Sequence, residues 1–270
     1  MKLFLRLKIR VLLFVFCCLS ISSLKAQEAC YPFQDGEEIV YIVYYNWGFV
    51  WVPAGEVKFS VTERDSTICF DVIGKSFSSY DNVFKVRDFY SSEVDNKTFL
   101  PKTFRRDVEE GKYIRFDSIT FDQKAGKVVE YFGKTRERAK KFEFEVEKAV
   151  HDMVSIIYQV RSIPIQTMQA EEKIPVSFFF DKELFNLNIK FSGKKTKKIK
   201  DLGKVDAFLL QPELIDSYVF SEGDLMDIWV SDDDNRIPLM IESPISVGSV
   251  KAVLRSAKGL KEQKQYVEEY

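Results

Sequence analysis

Hydrophobic and polar residues alternate along most of this chain with a period of two. Val57, Phe59 and Val61 are separated by Lys58 and Ser60, and Leu187, Ile189 and Phe191 by Asn188 and Lys190. The same alternation carries Val205, Ala207 and Leu209, and again Val250, Ala252 and Leu254. Successive side chains of a strand point to opposite faces, so this pattern predicts antiparallel strands with one buried and one wet face. Turn signals separate the runs: Glu110-Gly111, Lys124-Ala125-Gly126, Ser192-Gly193 and the triplet Asp232-Asp233-Asp234. Roughly a dozen strands result, and a sheet of that size curls rather than staying flat. The expected fold is mainly β: a large curved antiparallel sheet forming a barrel or half-barrel around one central α-helix.

That helix is predicted over 152–163, the one stretch that breaks the alternation. Met153, Ile156, Ile157 and Val160 stand at i, i+3, i+4 and i+7, which is one stripe of a helix. Asp152 is placed as its N-cap, Arg161 suits its C-terminal dipole, and Pro164 stops it. The apolar stripe must cover something, either the concave face of the sheet or its open mouth. Residues 27–258 are thus expected to form a single domain, two β-rich halves joined by the helix. The charged stretch 259–270 lacks apolar periodicity and is expected to fray.

The first residues bear on location rather than fold. Lys2, Arg6, Lys8 and Arg10 precede the apolar run Val11–Leu19, and Leu24-Lys25-Ala26 offers a small-residue cleavage site. The run falls short of the about 20 residues that a membrane span needs. Residues 1–26 therefore read as a cleaved signal peptide. Cys17, Cys18 and Cys30 lack the small residues that normally precede a lipidated cysteine, so lipid anchoring is not expected. The segment holds five of the 40 basic residues and none of the 41 acidic ones, which leaves the remainder mildly acidic. Nucleic acid is a poor partner for such a surface. Cys30 and Cys69 remain in a compartment that permits a disulfide between them.

Candidate chemistry is sparse. Adjacent side chains of an extended segment diverge, and no glycine or distal carboxylate completes a calcium loop around Asp232-Asp233-Asp234. The triplet reads as a hairpin tip. His151 is the sole histidine, and no Gly-x-Ser-x-Gly accompanies it. Glu37-Glu38, Glu109-Glu110 and Glu171-Glu172 fall at strand entries or turns and read as solvated edges. No catalytic constellation, metal site or cofactor is expected. Trp47, Phe49 and Trp51 near a turn could form an aromatic rim. Lys194, Lys195, Lys197, Lys198 and Lys200 crowd one hairpin, where they either keep a sheet edge soluble or meet an anionic envelope surface.

Several stretches resemble a known family. GEEIVYIVYY, PAGEVKFSV, TFLPKTF, ITFD, HDMVSIIYQVRSIPI and DIWVSDDDNRIPLMIE are similar to segments of the domain-of-unknown-function family 3108 of exported bacterial proteins. The likeness runs from Gly36 to Leu254. Its best markers are Asp152-x-x-Ser155-x-x-Tyr158-x-x-Arg161 and the hairpin from Trp229 to Leu239. The resemblance implies export and a β-rich architecture with one central helix, and it brings no catalytic residues. The terminal hairpin also resembles one in periplasmic lipoprotein-carrier proteins, which hold acyl chains in a half-barrel. The leader ending Leu24-Lys25-Ala26-Gln27 looks like those of Bacteroidetes exports, which implies a Gram-negative periplasm. The leading expectation is non-enzymatic binding of an apolar or amphipathic envelope ligand, a lipid or lipoprotein. Its cavity would be lined by Tyr45, Val57, Phe59, Phe70, Ile156, Ile157 and Phe191. A carbohydrate-binding module using the aromatic rim is the alternative, and a hydrolase of unknown substrate the third.

Overall fold

The structure, a computed structural model, describes residues 31–47, 50–213, 226–244 and 248–266, with the Trp47 side chain outside that description. Eight strands come first: β1 (Glu38–Trp47), β2 (Val50–Glu63), β3 (Thr67–Ser76), β4 (Val86–Asp95), β5 (Pro101–Glu110), β6 (Tyr113–Asp122), β7 (Lys127–Gly133) and β8 (Lys140–Glu145). The helix α1 (Ser155–Arg161) follows. Six more strands complete the chain: β9 (Lys173–Phe180), β10 (Glu183–Ile199), β11 (Gly203–Pro212), β12 (Asp227–Ser231), β13 (Pro238–Pro244) and β14 (Ser249–Lys258). Apart from β8 and β9, strands that are neighbours in sequence pair antiparallel, and β1 pairs with β14. The two meanders thereby become one 14-stranded sheet whose outer strands are β8 and β9. The sheet is not closed: among the described residues β8 and β9 share no ladder.

Curvature has identifiable sources. Register shifts interrupt the pairing of β1 with β14, of β4 with β5 and of β12 with β13, where Arg255, Lys102 and Leu239 are the extra residues that bend their strands. A further shift lies in β10. Ser192-Gly193, which the sequence suggested as a turn, is instead a bulge inside a 17-residue strand. Gly193 has φ of +77°, a conformation that suits a bulge as well as a turn. Beyond it the hairpin folds back onto the sheet, for Ile199 shares an apolar cluster with Trp229, Met240, Val253 and Tyr44. Most of the clustered lysines serve this packing. Lys194 pairs with Asp232 at 2.5 Å, Lys197 lies 4.8 Å from the Trp229 ring, and Lys200 donates to the Tyr44 hydroxyl at 3.3 Å. Lys195 and Lys198 are exposed.

The helix is shorter than expected and is held by its polar side. Asp152 accepts from the amides of Val154 and Ser155 at 2.8 Å each, while the Ser155 hydroxyl accepts from the Asp152 amide at 3.0 Å. This is a reciprocal cap, with Asp152 where the sequence placed it. Tyr158 stacks on Phe70 of β3 at 3.8 Å between centroids, and Phe33 meets both rings edge-on. At the C-terminal end Arg161 makes a two-pronged ion pair with Glu37, at 2.6 and 3.1 Å, and donates to the Asn235 carbonyl. Glu37 is 1% exposed. Its expected place on a solvated edge is therefore corrected: a buried guanidinium requires a buried counter-charge.

The aspartate triplet organises the β12–β13 turn. Asp233 accepts from the Ser231 hydroxyl and from the amides of Asn235 and Arg236. Of the segment expected to fray, residues 259–266 are seated on that turn and 267–270 lie outside the described residues: Leu260 is buried, Lys264 and Tyr266 both donate to Asp233, and Asn235 donates to the Glu262 carbonyl. Burial alone would raise the Asp233 carboxyl, but the donors from Lys264, Tyr266 and Ser231 outweigh it and hold it below the usual carboxylate range.

Candidate functional site

The apolar stripe of α1 meets the inner faces of β9 to β12 only in part: Ile156 and Val160 pack against the apolar cluster there. Beside that contact lies a cavity of about 670 Å³, within the about 300–1,000 Å³ typical of small-molecule sites. Strand periodicity builds one wall. Val176, Phe178 and Phe180 of β9 stand opposite Leu187, Phe185 and Glu183 of β10 in register, and all line the cavity. Ile189, Leu210, Ile228 and Ile241 continue that surface across β10 to β13, and Ile39, Tyr41 and Phe59 extend it to β1 and β2. Met153 before the helix and Ile156, Ile157 and Val160 within it complete the lining, the whole predicted stripe. The buried residues of α1 are Ser155, Tyr158 and Arg161, of which Tyr158 and Arg161 also reach the cavity wall. The apolar stripe thus borders the cleft while part of it packs on the strands, and Ile157 remains 39% exposed.

Of the seven residues expected to line a cavity, Phe59, Ile156 and Ile157 do so. Phe70 is fully buried in the stack behind the helix, and Phe191 is buried against Phe208. Val57 is half-buried beside Gly74, and Tyr45 stands at the far end of β1, near Gly248. In the aromatic rim, Phe49 and the Trp47 side chain lie outside the described residues. Trp51 is half-buried with the Lys251 ammonium 4.0 Å above its ring. Cys69 is buried on β3, and Cys30 lies outside the described residues. The His151 ring is 3.2 Å from the Ser155 hydroxyl, and burial lowers it to about 4, so it stays neutral near neutral pH. Its backbone pairs with Ser177 and Phe179, filling part of the seam beside β9. Asp152 and Ser155 are committed to the cap, and Ser92 also donates to Asp152 at 2.6 Å.

A charged cluster absent from the sequence-based candidates lies across the seam from β9. Arg106 on β5 sits between the buried Phe104 and Val108, Asp117 on β6 lies opposite it, and Glu130 on β7 is one row away. All three are buried. Arg106 donates to Asp117 at 3.4 Å and to Asp181 on the β9–β10 turn. Burial, and then the charge of Asp117, pushes the Glu130 carboxyl up to about 8, so it holds a proton beside Asp117. Burial raises Asp117 to about 6 despite Arg106. The signal was present: a charged residue at an inward position of an alternating strand is a buried charge, and β5, β6 and β7 each carry one.

The family described as "Protein of unknown function (DUF3108)" matches residues 40–255. The chain belongs to the DUF3108 family. Among curated proteins none matches it. Among solved structures it is similar to a beta-barrel-like protein of domain of unknown function DUF1849 from Brucella abortus. The identity is 9% and the TM-score 0.57, over 85% of this chain and 99% of that one. At that identity the likeness is one of fold alone. For this DUF3108 chain the structure also gives the spaced residues Asp152, Ser155, Tyr158 and Arg161 a physical meaning: cap, cap, core stack and ion pair.

Proposed function

We propose that this protein is exported to the periplasm and holds the apolar part of an amphipathic envelope ligand, a lipid or lipoprotein acyl chain, in the cleft between α1 and β9–β13. The observation that carries this reading is the helix stripe. Met153, Ile156, Ile157 and Val160 all line the cleft, and Ile157 stays 39% exposed although Ser155, Tyr158 and Arg161 of the same helix are buried. Apolar surface of this extent, facing a cavity with a few charged groups in its wall, marks a ligand site more often than a defect of packing. The basic leader, apolar run and cleavage site support export.

Native mass spectrometry of residues 27–270, purified gently from the periplasm of its own cells, tests this. The expected result is a reproducible adduct of lipid mass that organic extraction removes. Ile157→Asp, at a half-exposed position of the stripe, is expected to abolish the adduct while the far-UV spectrum stays unchanged. A clean apo mass for the unaltered protein, with added fatty acid giving no adduct either, would refute the reading.

A further inference from the structure

Charged residues line the cleft at Asp181 and Glu183, at Arg161 and Arg236, and at Glu213, and with a lipid tail in the cleft, as proposed above, a charged part of the wall meets the ligand's head. Asp181 lines the cleft from the two-residue turn between β9 and β10, where Asp181 and Lys182 have φ of +49° and +68°. Its carboxylate crosses the open seam to Arg106. Among the described residues this is the ion pair that joins the β9–β10 turn to β5–β8. Arg106 is 4% exposed, and its guanidinium lies 4.4 Å from the centroid of Phe180, another wall residue of the cleft.

The two carboxylates on Arg106 are unequal. Asp117 is fully buried in the middle of the sheet and is fixed by the neighbouring strands. Asp181 stands at the tip of an edge hairpin with its side chain 40% exposed. The Arg106 Nε, also buried, has no hydrogen-bond partner in the protein. A guanidinium presents its donors in a planar fork that matches a carboxylate or a phosphate, and here the fork is only partly used. We infer, on the basis of the lipid-binding function proposed above, that Arg106 is the head-group site for an anionic amphiphile. Asp181 is then a placeholder that the ligand's carboxylate or phosphate displaces while the tail fills the cleft. Exchanging one anion for another leaves the cluster's charge nearly unchanged, so the head enters without a new buried counter-ion. The Lys182 ammonium, 4.5 Å from the centroid of Phe132, is a second cation beside the entering head. Displacement of Asp181 also unhooks the hairpin tip and widens the seam through which a tail enters.

Isothermal titration of the mature chain, residues 27–270, with palmitic acid, hexadecyl phosphate and hexadecanol separates head from tail. The unaltered protein is expected to bind the acids more tightly than the alcohol. Asp181→Asn removes the competing charge and is expected to tighten acid binding about tenfold while leaving the alcohol unchanged. Arg106→Gln, checked for fold by circular dichroism, is expected to make the three ligands equivalent. A gain confined to palmitic acid would assign the site to carboxylates, and one confined to hexadecyl phosphate would assign it to phosphate esters. Equal binding of acid and alcohol, with Asp181→Asn shifting neither, would overturn the head-group assignment and leave the apolar cleft standing. If none of the three binds the unaltered protein, the cleft reading itself fails.

Discussion

Truncating Glu37 to alanine is expected to destabilise the fold by about 3–5 kcal/mol, because it leaves the buried Arg161 guanidinium without its counter-charge. Both ends of the pair are out of water, and the remaining Arg161 donor goes to a single carbonyl, that of Asn235. The pair also ties three distant parts of the chain together: the entry to β1, the end of α1 and the β12–β13 turn. Arg236 strengthens the same corner by donating from Nε to the Arg161 carbonyl at 2.7 Å. Urea denaturation measures the effect as a fall in midpoint at unchanged slope. The double variant Glu37→Met, Arg161→Met is expected to recover most of the loss, since an apolar pair has no charge to desolvate. If the double variant were no better than Glu37→Ala, the ion pair would not be the source of the effect.

Stability is expected to fall as pH rises from about 4.5 to 8, and Glu130 is the main cause. Burial and the neighbouring Asp117 hold its folded-state value up at about 8, well above the value of an exposed glutamate. Asp117 at about 6 and Asp88 at about 7, raised by burial first and by Glu110 second for Asp88, act in the same direction. Across this window the folded state binds more protons than the unfolded chain, so raising the pH favours unfolding. The stabilisation is complete below the unfolded value and lost as pH passes the folded one. For Glu130 alone it is on the order of a few kcal/mol. Ionisation would place three carboxylates, Glu130, Asp117 and Asp181, around the one guanidinium of Arg106. Urea midpoints at pH 5, 7 and 9 are expected to decline in that order. Glu130→Gln keeps a donor toward Asp117 without a titrating proton, and is expected to flatten most of the slope. A variant as pH-dependent as the parent would place the protons elsewhere.

Much of the architecture was legible because alternation is a local signal. Strands such as β2, β11 and β14 follow directly from it, and so does the mid-chain helix. What the pattern could not supply was the direction in which each element faces. The stripe of α1 identifies an apolar side correctly, but the same residues would be written for a helix packed on a core. The structure divides its neighbours instead: Tyr158 stacks on Phe70, Ile156 and Val160 pack against the apolar cluster of β9 to β12, and Ile157 stays exposed to the cleft. Ser192-Gly193 was ambiguous for a similar reason, since a left-handed glycine serves a turn and a bulge alike. Glu37 carried no local sign of burial, because its partner lies 124 residues away. Arg106, Asp117 and Glu130 are a different case. Each occupies an inward position of an alternating strand, so the charged cluster that Asp181 joins to the cleft was visible to the same rule that found the strands.

The strand order has a kinetic consequence. Thirteen pairings make the sheet, and all but one join strands that are neighbours along the chain. Each of those closes a short loop and can form early, at little cost in chain entropy. The pairing of β1 with β14 is the exception, matching Tyr41 with Leu254 across almost the whole sequence. Folding is therefore expected to proceed as two independent meanders that dock last along this line. In pulse-labelled hydrogen exchange, the amides that bond β1 to β14 should gain protection after those that bond β5 to β6. Until that docking the cleft has only part of its wall, because Ile39, Tyr41 and Phe59 come from one meander and β9–β13 from the other. If the cleft holds a ligand as proposed, a chain caught before this step would be unable to load it, and binding competence would be a late event in the protein's own assembly.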